Sequence, residues 1–295
     1  LSGALGLVLA GRLVRPLAQL TAAAQQLGKG DYQYPLPKRA GDEVAALGDA
    51  FDRMRRSLQH TERTRTQFIG DLSHELRTPL TGIKGLVETL QDGAAEDPRV
   101  RDDFIAAIAQ ETERLIRLTQ DLLILTRADE QALELRLEPL ELSDLIGGIV
   151  QRLQADAQRR GVLVEWQVSG VPLLVRADAD RLEQVLLNLI DNALKHAPQG
   201  SAVTLASRRS GSEALVSVRD RGPGIPPEAL ERVFDRFFRA EPARDRARGG
   251  SGLGLSIARA LVERHGGRLW IESPRPGWDG RGLPGAQASF ALPLS

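Results

Sequence analysis

At 295 residues the chain is long enough for two or more domains, and 39 Lys+Arg against 39 Asp+Glu leave a formal net charge of +0. That balance excludes a basic-patch nucleic-acid binder. With no cysteine there is no disulfide, no thiol chemistry and no thiolate zinc site, as fits a reducing compartment. Leu1 stands where an initiator methionine would, which reads as a fragment or a processed form.

Leu1 to Ala10 is apolar apart from Ser2 and is followed by Arg12 and Arg15, the pattern of a membrane helix at its cytoplasmic end. A bilayer span needs about 20 residues, so only the last half of one fits here. Because its positive charges follow the apolar run, the segment is not a signal peptide. Two heptad-spaced segments come next: Leu13, Leu17, Leu20, Ala24 and Leu27, then Val44, Leu47, Phe51, Met54 and Leu58. Each is expected to be one helix of a parallel bundle. Between them GKGDYQYPLPKRAGDE carries glycine and proline at both ends and should run as an extended connector.

The next segment contains SHELRTPL, Ser73 to Leu80. At about 100° per residue, Phe68, Ile69, Leu76, Leu80, Ile83, Leu86, Val87 and Leu90 cluster around Leu72 within an arc of roughly 120°. His74 lies roughly 200° from Leu72, on the exposed back of the helix, and Thr78 points almost the same way. Position alone does not separate a reactive histidine from a solvated one. Glu75, however, can hold one ring nitrogen as N–H and leave the other as a nucleophile. Pro79 removes a backbone donor, so the helix is expected to bend or loosen beside His74.

DGAAEDP, Asp92 to Pro98, reads as a turn, and a second amphipathic helix follows to about Ala128 with Ile108, Glu111, Leu115, Leu118, Leu122 and Leu125 on heptad spacing. Such a hairpin cannot bury both faces alone, and two chains pairing into a four-helix bundle is the simplest solution. A homodimer is expected.

Past Glu138-Pro139 helices alternate with short β-rich runs. Ser143 is expected to cap a helix ending near Gly161. Strands are expected at Val162 to Val168, Leu173 to Arg176, Ala202 to Ser207, Ala214 to Arg219, Arg268 to Glu272 and Ala288 to Leu292. Helices are expected over Asp180 to His196, Pro227 to Phe234 and Gly254 to His265. The implied unit is a two-layer α/β sandwich with helices on one face of a mixed sheet.

Four motifs in that region suit a nucleotide. In QVLLNLIDNALKHA, Asn188 and Asn192 are four apart and share a helix face, where amide oxygens can ligate a Mg²⁺ that bridges phosphates. In DRGPGI, Asp220 ends a strand, and Gly222 and Gly224 let the backbone turn closely under a flat ligand. VFDRFFR offers Arg236 and Arg239 beside a phenylalanine cluster. GGSGLGLSI places Gly249, Gly250, Gly252 and Gly254 ahead of a helix, whose N-terminal N–H groups can cradle phosphate. Each motif alone is weak, and the specificity lies in their combination and order.

FIGDLSHELRTPL resembles, over thirteen consecutive positions, the phosphoacceptor box of bacterial sensor histidine kinases of the orthodox, phosphate-sensor type. The heptad pair with its connector resembles a HAMP linker. The four later motifs resemble the N, G1, F and G2 boxes of the histidine kinase catalytic domain, which has the Bergerat ATP-binding fold of gyrase and MutL. The resemblance implies a multidomain chain: residues 1–11 the end of a transmembrane helix, 12–62 a HAMP linker, 63–130 a dimerising phosphoacceptor hairpin, and 139–295 a catalytic ATP-binding domain. It also implies His74 as the phosphorylated residue, Glu75 as its acid/base partner, and Thr78 as the residue that positions water for dephosphorylation. Asp220 would bind the adenine amino group, Asn192 Mg²⁺ with Asn188 nearby, Lys195 the phosphates, Arg236 the γ-phosphate, and Ser289 would support the adenine pocket. ATP and Mg²⁺ would be the cofactors, a response regulator the partner, and a bacterial inner membrane the location, with the catalytic portion cytoplasmic.

Arg221 stands where the family commonly has asparagine, and His196 where an aromatic is frequent. Arg244, Arg246 and Arg248 lie in a loop expected to be loose without nucleotide. Two other readings are an ATP-driven Bergerat clamp and a nucleotide-binding dimeric scaffold. The clamp would want a carboxylate general base where Asn188 stands, and an intact His74, Glu75, Asn192 and Asp220 speaks against the scaffold.

Overall fold

The computed structural model describes residues 14–36, 42–130, 132–168, 170–240 and 251–295. The membrane-helix expectation at 1–11, Gly249, Gly250 and the three loop arginines Arg244, Arg246 and Arg248 lie outside the described residues. The chain divides into two compact units, Leu1–His74 and Glu75–Ser295.

In the first unit α1 (Arg15–Gly28) and the start of the 50-residue α2 (Asp42–Gln91) take up the two heptad segments. Of the heptad positions Leu20 is buried, while Leu17, Ala24, Leu47, Met54 and Leu58 are exposed; the buried alanine is Ala23, one residue off the heptad. Residues 29–36 of the connector are not helical, and 37–41 lie outside the described residues. The connector is tied down where Arg55 Nη1 donates to the carbonyl of Tyr32 at 3.0 Å, with Asp52 pairing to the same guanidinium at 2.5 Å. Helix α2 carries on through Pro79 without a break in its assignment, and Pro79 is itself buried.

The second unit begins with the rest of α2. After a short 3-10 turn (Ala94–Glu96), Asp97 caps α3 (Pro98–Asp129) by accepting from the Arg99 N–H at 2.9 Å, with Pro98 as the first helical residue. One face of α3 buries Leu118, Ile124 and Leu125. The expected all-core face of α2 is only partly core: Ile69, Leu80 and Val87 are exposed.

The remainder is the expected two-layer α/β arrangement, with one unforeseen strand. Strands β2 (Leu163–Gln167), β4 (Ala202–Ser210), β5 (Glu213–Arg219), β6 (Arg268–Glu272) and β7 (Gln287–Pro293) form a mixed sheet in the order β2-β4-β5-β7-β6. Only β2 and β4 run parallel. The segment expected as a strand from Leu173 is β3 (Leu174–Ala177), but it pairs outside this sheet, with β1 (Glu138–Glu141). Pro139 in β1 lacks an N–H, which confines the strand to an edge and hides it from a sequence pattern.

Helix α4 (Leu142–Arg159) is capped not by Ser143, as expected, but by Glu141, whose Oε1 accepts from the N–H groups of Ser143 at 3.3 Å and Leu173 at 2.9 Å. A hydroxyl at 143 falls one residue inside the helix and cannot serve its first turn. Helix α5 (Ala179–His196) is capped by Asp178, and α7 (Gly254–Arg264) packs beside it. These helices cover the sheet face bearing Leu205, Val216 and Phe290, all fully buried. The expected helix Pro227 to Phe234 is a single turn, α6 (Pro227–Leu230), followed by tight turns. Just beyond Phe234, Arg236 and Arg239 bond to distant segments described below.

Candidate active site

A cavity of 520 Å³ lies inside the second unit, between the α2–α3 hairpin and the α5–α7 pair. The hairpin contributes Glu75 and Pro79 from α2 with Arg114 and Asp121 from α3. The opposite wall carries Asn188, Asn192 and Lys195 from α5, with Gly252 and Gly254 at the start of α7. The amphipathic spacing of α5 accounts for its share: Leu182, Leu186 and Leu189 are buried in the core, which turns the asparagine face to the cavity.

The Asn188 Nδ2 is buried and has no hydrogen-bond partner among the described residues. A buried amide left unsatisfied suits a site whose ligand completes it. The end-for-end orientation of that amide is interchangeable, so an oxygen can face the cavity. Lys195 pairs with Asp191 at 2.6 Å. Helix α7 has no side-chain cap, so its first N–H groups are available to an anion. Gly252 there has a φ of +71°, and a Cβ on it would sit 2.8 Å from the Phe237 backbone. Phe237 itself takes a φ of 59° and donates its N–H to the Gly252 carbonyl at 2.9 Å. A left-handed phenylalanine costs about 1–2 kcal/mol, so this contact is held in place by its surroundings.

The two arginines on either side of Phe237 reach the hairpin. Arg239, whose side chain is 8% exposed, donates to Glu75 Oε2 at 3.0 Å, and Arg114 stands 3.9 Å from the same oxygen. Arg236 donates to Asp129 at 2.5 Å and does not line the cavity. The arginine brought to the cavity is thus Arg239, which the motif contained but to which no role was given. Asp121 is a second residue that sequence reasoning passed over. Burial pushes its carboxyl up to about 6 against the opposing charge of Arg117.

His74 and Thr78 are both exposed on α2, one before and three after the cavity-lining Glu75. Asp220 does not line the cavity but adjoins it: a Cβ on Gly222 would sit 2.7 Å from the carbonyl of His196, a cavity residue. Asp220 Oδ1 accepts from the N–H groups of Gly222 at 2.7 Å and Ala286 at 3.3 Å. Burial pushes its carboxyl above the ordinary range, while these two bonds and the charges of His196 and Arg275 oppose that rise. Ser289 is buried on β7 opposite Ser217 and Trp270, and accepts from Gln287 at 3.1 Å. Strand alternation puts Ser289 on the same face as Gln287 and Arg219, whereas Asp220 follows on the other. The structure does not bring Ser289 to Asp220. Arg221 is exposed.

Comparison with known families matches this arrangement segment by segment. Residues 177–295 match the histidine kinase-, DNA gyrase B- and HSP90-like ATPase family, and 64–131 the His Kinase A phospho-acceptor domain. Residues 8–60 match the HAMP domain. The fold and site thus define an ATPase layer joined to a phosphoacceptor hairpin.

The chain belongs to the sensor histidine kinases of two-component systems. It is 37% identical over 292 residues to the signal transduction histidine-protein kinase/phosphatase MprB of Mycolicibacterium smegmatis, an alignment covering 95% of this chain and 56% of the relative. With the sensor histidine kinase WalK of Bacillus subtilis it shares 38% over 214 residues, covering 72% and 35%. The chain therefore spans about half or less of the length of these relatives. Among solved structures it resembles histidine kinase ThkA in complex with the response regulator TrrA, with a TM-score of 0.58, 26% identity, and 82% and 64% of the two chains covered. Full-length ShkA in complex with AMPPNP gives a TM-score of 0.56 at 29% identity, covering 79% and 46%.

Proposed function

We propose that the chain is the cytoplasmic kinase portion of a membrane-anchored sensor: it binds ATP, phosphorylates His74 and passes the phosphoryl group to an aspartate of a response regulator. The observation that carries this reading is Glu75, next to His74 in sequence, sharing one cavity with Asn188, Asn192 and the glycine-rich start of α7.

In the proposed reaction one imidazole nitrogen of His74 attacks the γ-phosphorus in line. The N–P bond forms as the bond to the bridging oxygen of ADP breaks, and Glu75 takes the proton from the other ring nitrogen. Lys195 and the N–H groups of Gly252 and Gly254 serve the phosphates, with Gly250 in the same loop, and Asp220 with Gly222 and Gly224 serves adenine. The donor set of Asn192 and Asn188, neutral oxygen ligands one helical turn apart, suits a Mg²⁺ that keeps its other positions for water and phosphate, and when bound it would offset phosphate charge. In the conformation seen, Glu75 is held by Arg239 and Arg114. Phosphorylation then requires Arg239 to leave Glu75, and Arg236 to leave Asp129, for the developing charge on the γ-phosphate.

Thr78, one turn beyond His74, is assigned to positioning water for dephosphorylation of the regulator. The exposed apolar residues of α2 and α3 are assigned to a second copy, making a homodimer. Residues 1–11 are assigned to the end of a transmembrane helix, and the HAMP match at 8–60 is consistent with that placement. The domain limits at 12–62, 63–130 and 139–295 are retained as the working division. Among the described residues, no helix is long and apolar enough to cross a membrane.

The test is incubation with γ-labelled ATP. Label should stay on the protein, be acid-labile and vanish in His74→Gln, and label retained by that variant would sink the assignment. In Thr78→Ala, regulator dephosphorylation should slow while autophosphorylation continues. Equal loss of both would make Thr78 structural.

A further inference from the structure

The loop between β6 and β7 folds back over the Asp220 turn and sets its geometry. Ser273 Oγ accepts the N–H of Ile225 at 2.8 Å and donates to the carbonyl of Gly285 at 3.1 Å. Gly285 donates to the carbonyl of Gly222 at 2.9 Å. Ala286 closes the ring: its carbonyl accepts the Asp220 N–H at 2.9 Å, and its own N–H reaches Asp220 Oδ1 at 3.3 Å. Apart from the Ser273 hydroxyl, the loop's contacts to the turn are therefore made by backbone atoms of residues 285 and 286, whose placement depends on what holds the loop closed.

That role falls to Arg275. Its Nη1 donates to the carbonyls of Leu283 at 2.9 Å and Pro284 at 2.8 Å, and its backbone N–H donates to Pro284 at 3.1 Å. Three bonds from one residue thus fasten the two ends of the loop directly before Gly285. A guanidinium can bridge two carbonyls from one nitrogen while its charge bears on a nearby carboxylate, and Asp220 is that carboxylate. With Oδ1 engaged by two backbone donors, the remaining oxygen, Oδ2, has no hydrogen-bond partner among the described residues.

We infer that Arg275 is a positioning residue for base selection: by fastening the β6–β7 loop it fixes the Asp220 carboxylate with Oδ1 spent and Oδ2 turned to accept from the exocyclic amino group of adenine. This rests on the reading of Asp220 as the adenine contact. A carboxylate held rigidly this way rejects a purine that presents a carbonyl at the same position, because two acceptors then face each other. A loosely held carboxylate swings away and discriminates less.

Calorimetric titration of the whole chain with ATP and with inosine triphosphate, which replaces that amino group by a carbonyl, separates these cases. The parent should bind ATP about a hundredfold or more tightly than inosine triphosphate. Arg275→Ala should shrink that ratio about tenfold, with the loss falling on ATP, and Arg275→Lys should restore part of it. A general weakening of the fold would lower both affinities together and leave the ratio unchanged, and that result would overturn the inference. Should the parent itself fail to discriminate, the adenine reading of Asp220 falls and the inference with it. If Arg275→Ala does not fold, Ser273→Ala carries the same test, since it removes the hydroxyl that ties Gly285 of the loop to Ile225 of the turn. An unchanged ratio there is equally fatal.

Discussion

The hairpin and the α/β layer treat their apolar residues in opposite ways. In the layer, Leu186, Ile190, Ile257 and Phe290 are each 0% exposed. In the hairpin, Leu80, Ile105, Ile116 and Leu123 remain 54%, 52%, 44% and 50% exposed, although they too are helix-spaced apolar residues. Leu80 and Val87 are seven apart, as are Ile116 and Leu123, the spacing of one stripe down a helix. One face of α3 is buried at Leu118 and Leu125, so the exposed stripe is additional to the packing it already has. The layer encloses this core within one chain and, among the described residues, exposes large apolar side chains only at strand ends and loops such as Leu163, Val168 and Leu283, whereas the hairpin leaves a helix-spaced apolar stripe uncovered. A second copy, as proposed above, supplies what the stripe lacks.

The largest effect expected from this contrast is on the layer. Phe290→Ala should cost about 3–5 kcal/mol of stability, read by urea unfolding, because the cavity left at a fully enclosed site cannot collapse. Leu123→Ala, at an exposed site, should cost less than about 1 kcal/mol in dilute monomer. Next in size is the stripe itself. Ile116→Glu combined with Leu123→Glu should weaken self-association at least about a hundredfold, since four carboxylates per dimer would enter the proposed interface. Sedimentation should show a monomer where the parent is a dimer, with the unfolding of the layer little changed. A dimer as tight as the parent's would mean that the stripe faces something other than a second copy.

The same contrast explains what was legible beforehand. The hairpin, the asparagine face of α5 and the glycine-rich start of α7 were readable because each is written in local spacing: heptads, a four-residue interval, glycines before a helix. The pairs that organise the site are not local. Glu75 and Arg239 are 164 residues apart, Asp129 and Arg236 107, and Asp220 and Ala286 66. No periodicity encodes such pairs, and the two arginines looked alike in sequence although only Arg239 lines the cavity. Strand β1 was hidden by Pro139, and the cap of α4 by the glutamate one residue before the helix, a residue type rarely chosen there. Ser289 illustrates the period-two hazard, since a shift of one residue along a strand moves a side chain to the other face of the sheet.

Two carboxylates extend the comparison to pH, with opposite signs. Asp121, on the hairpin wall of the cavity, has its carboxyl raised to about 6 by burial against the charge of Arg117. A raised carboxyl destabilises the ionised fold: the cost is absent below about pH 4, grows as pH rises toward 6, and is complete above it. Asp121→Asn should therefore stabilise the chain by about 1–2 kcal/mol at pH 7.5, after allowance for its partial exposure, and change little at pH 4. Thermal melts at the two pH values check this, and an equal shift at both would exclude desolvation as the cause.

Glu141, in the α/β layer, is also pushed up by burial, but the N–H groups of Leu173 and Ser143 more than reverse this, so its carboxyl lies below the ordinary value. A lowered carboxyl stabilises the ionised fold. Its contribution is fully present above about pH 4.5 and is lost as pH falls through the folded value. Glu141→Ala should cost about 0.5–1 kcal/mol at pH 7.5, the usual worth of a helix cap, and progressively less as the parent loses the same interaction in acid. Glu141→Gln keeps an oxygen acceptor and should lose less than the alanine variant at neutral pH while flattening the acid slope. If the glutamine and alanine variants melt alike at every pH, the charge on Glu141, not its hydrogen bonds to α4 and to Leu173, is what holds β1 and β3 to the start of the helix.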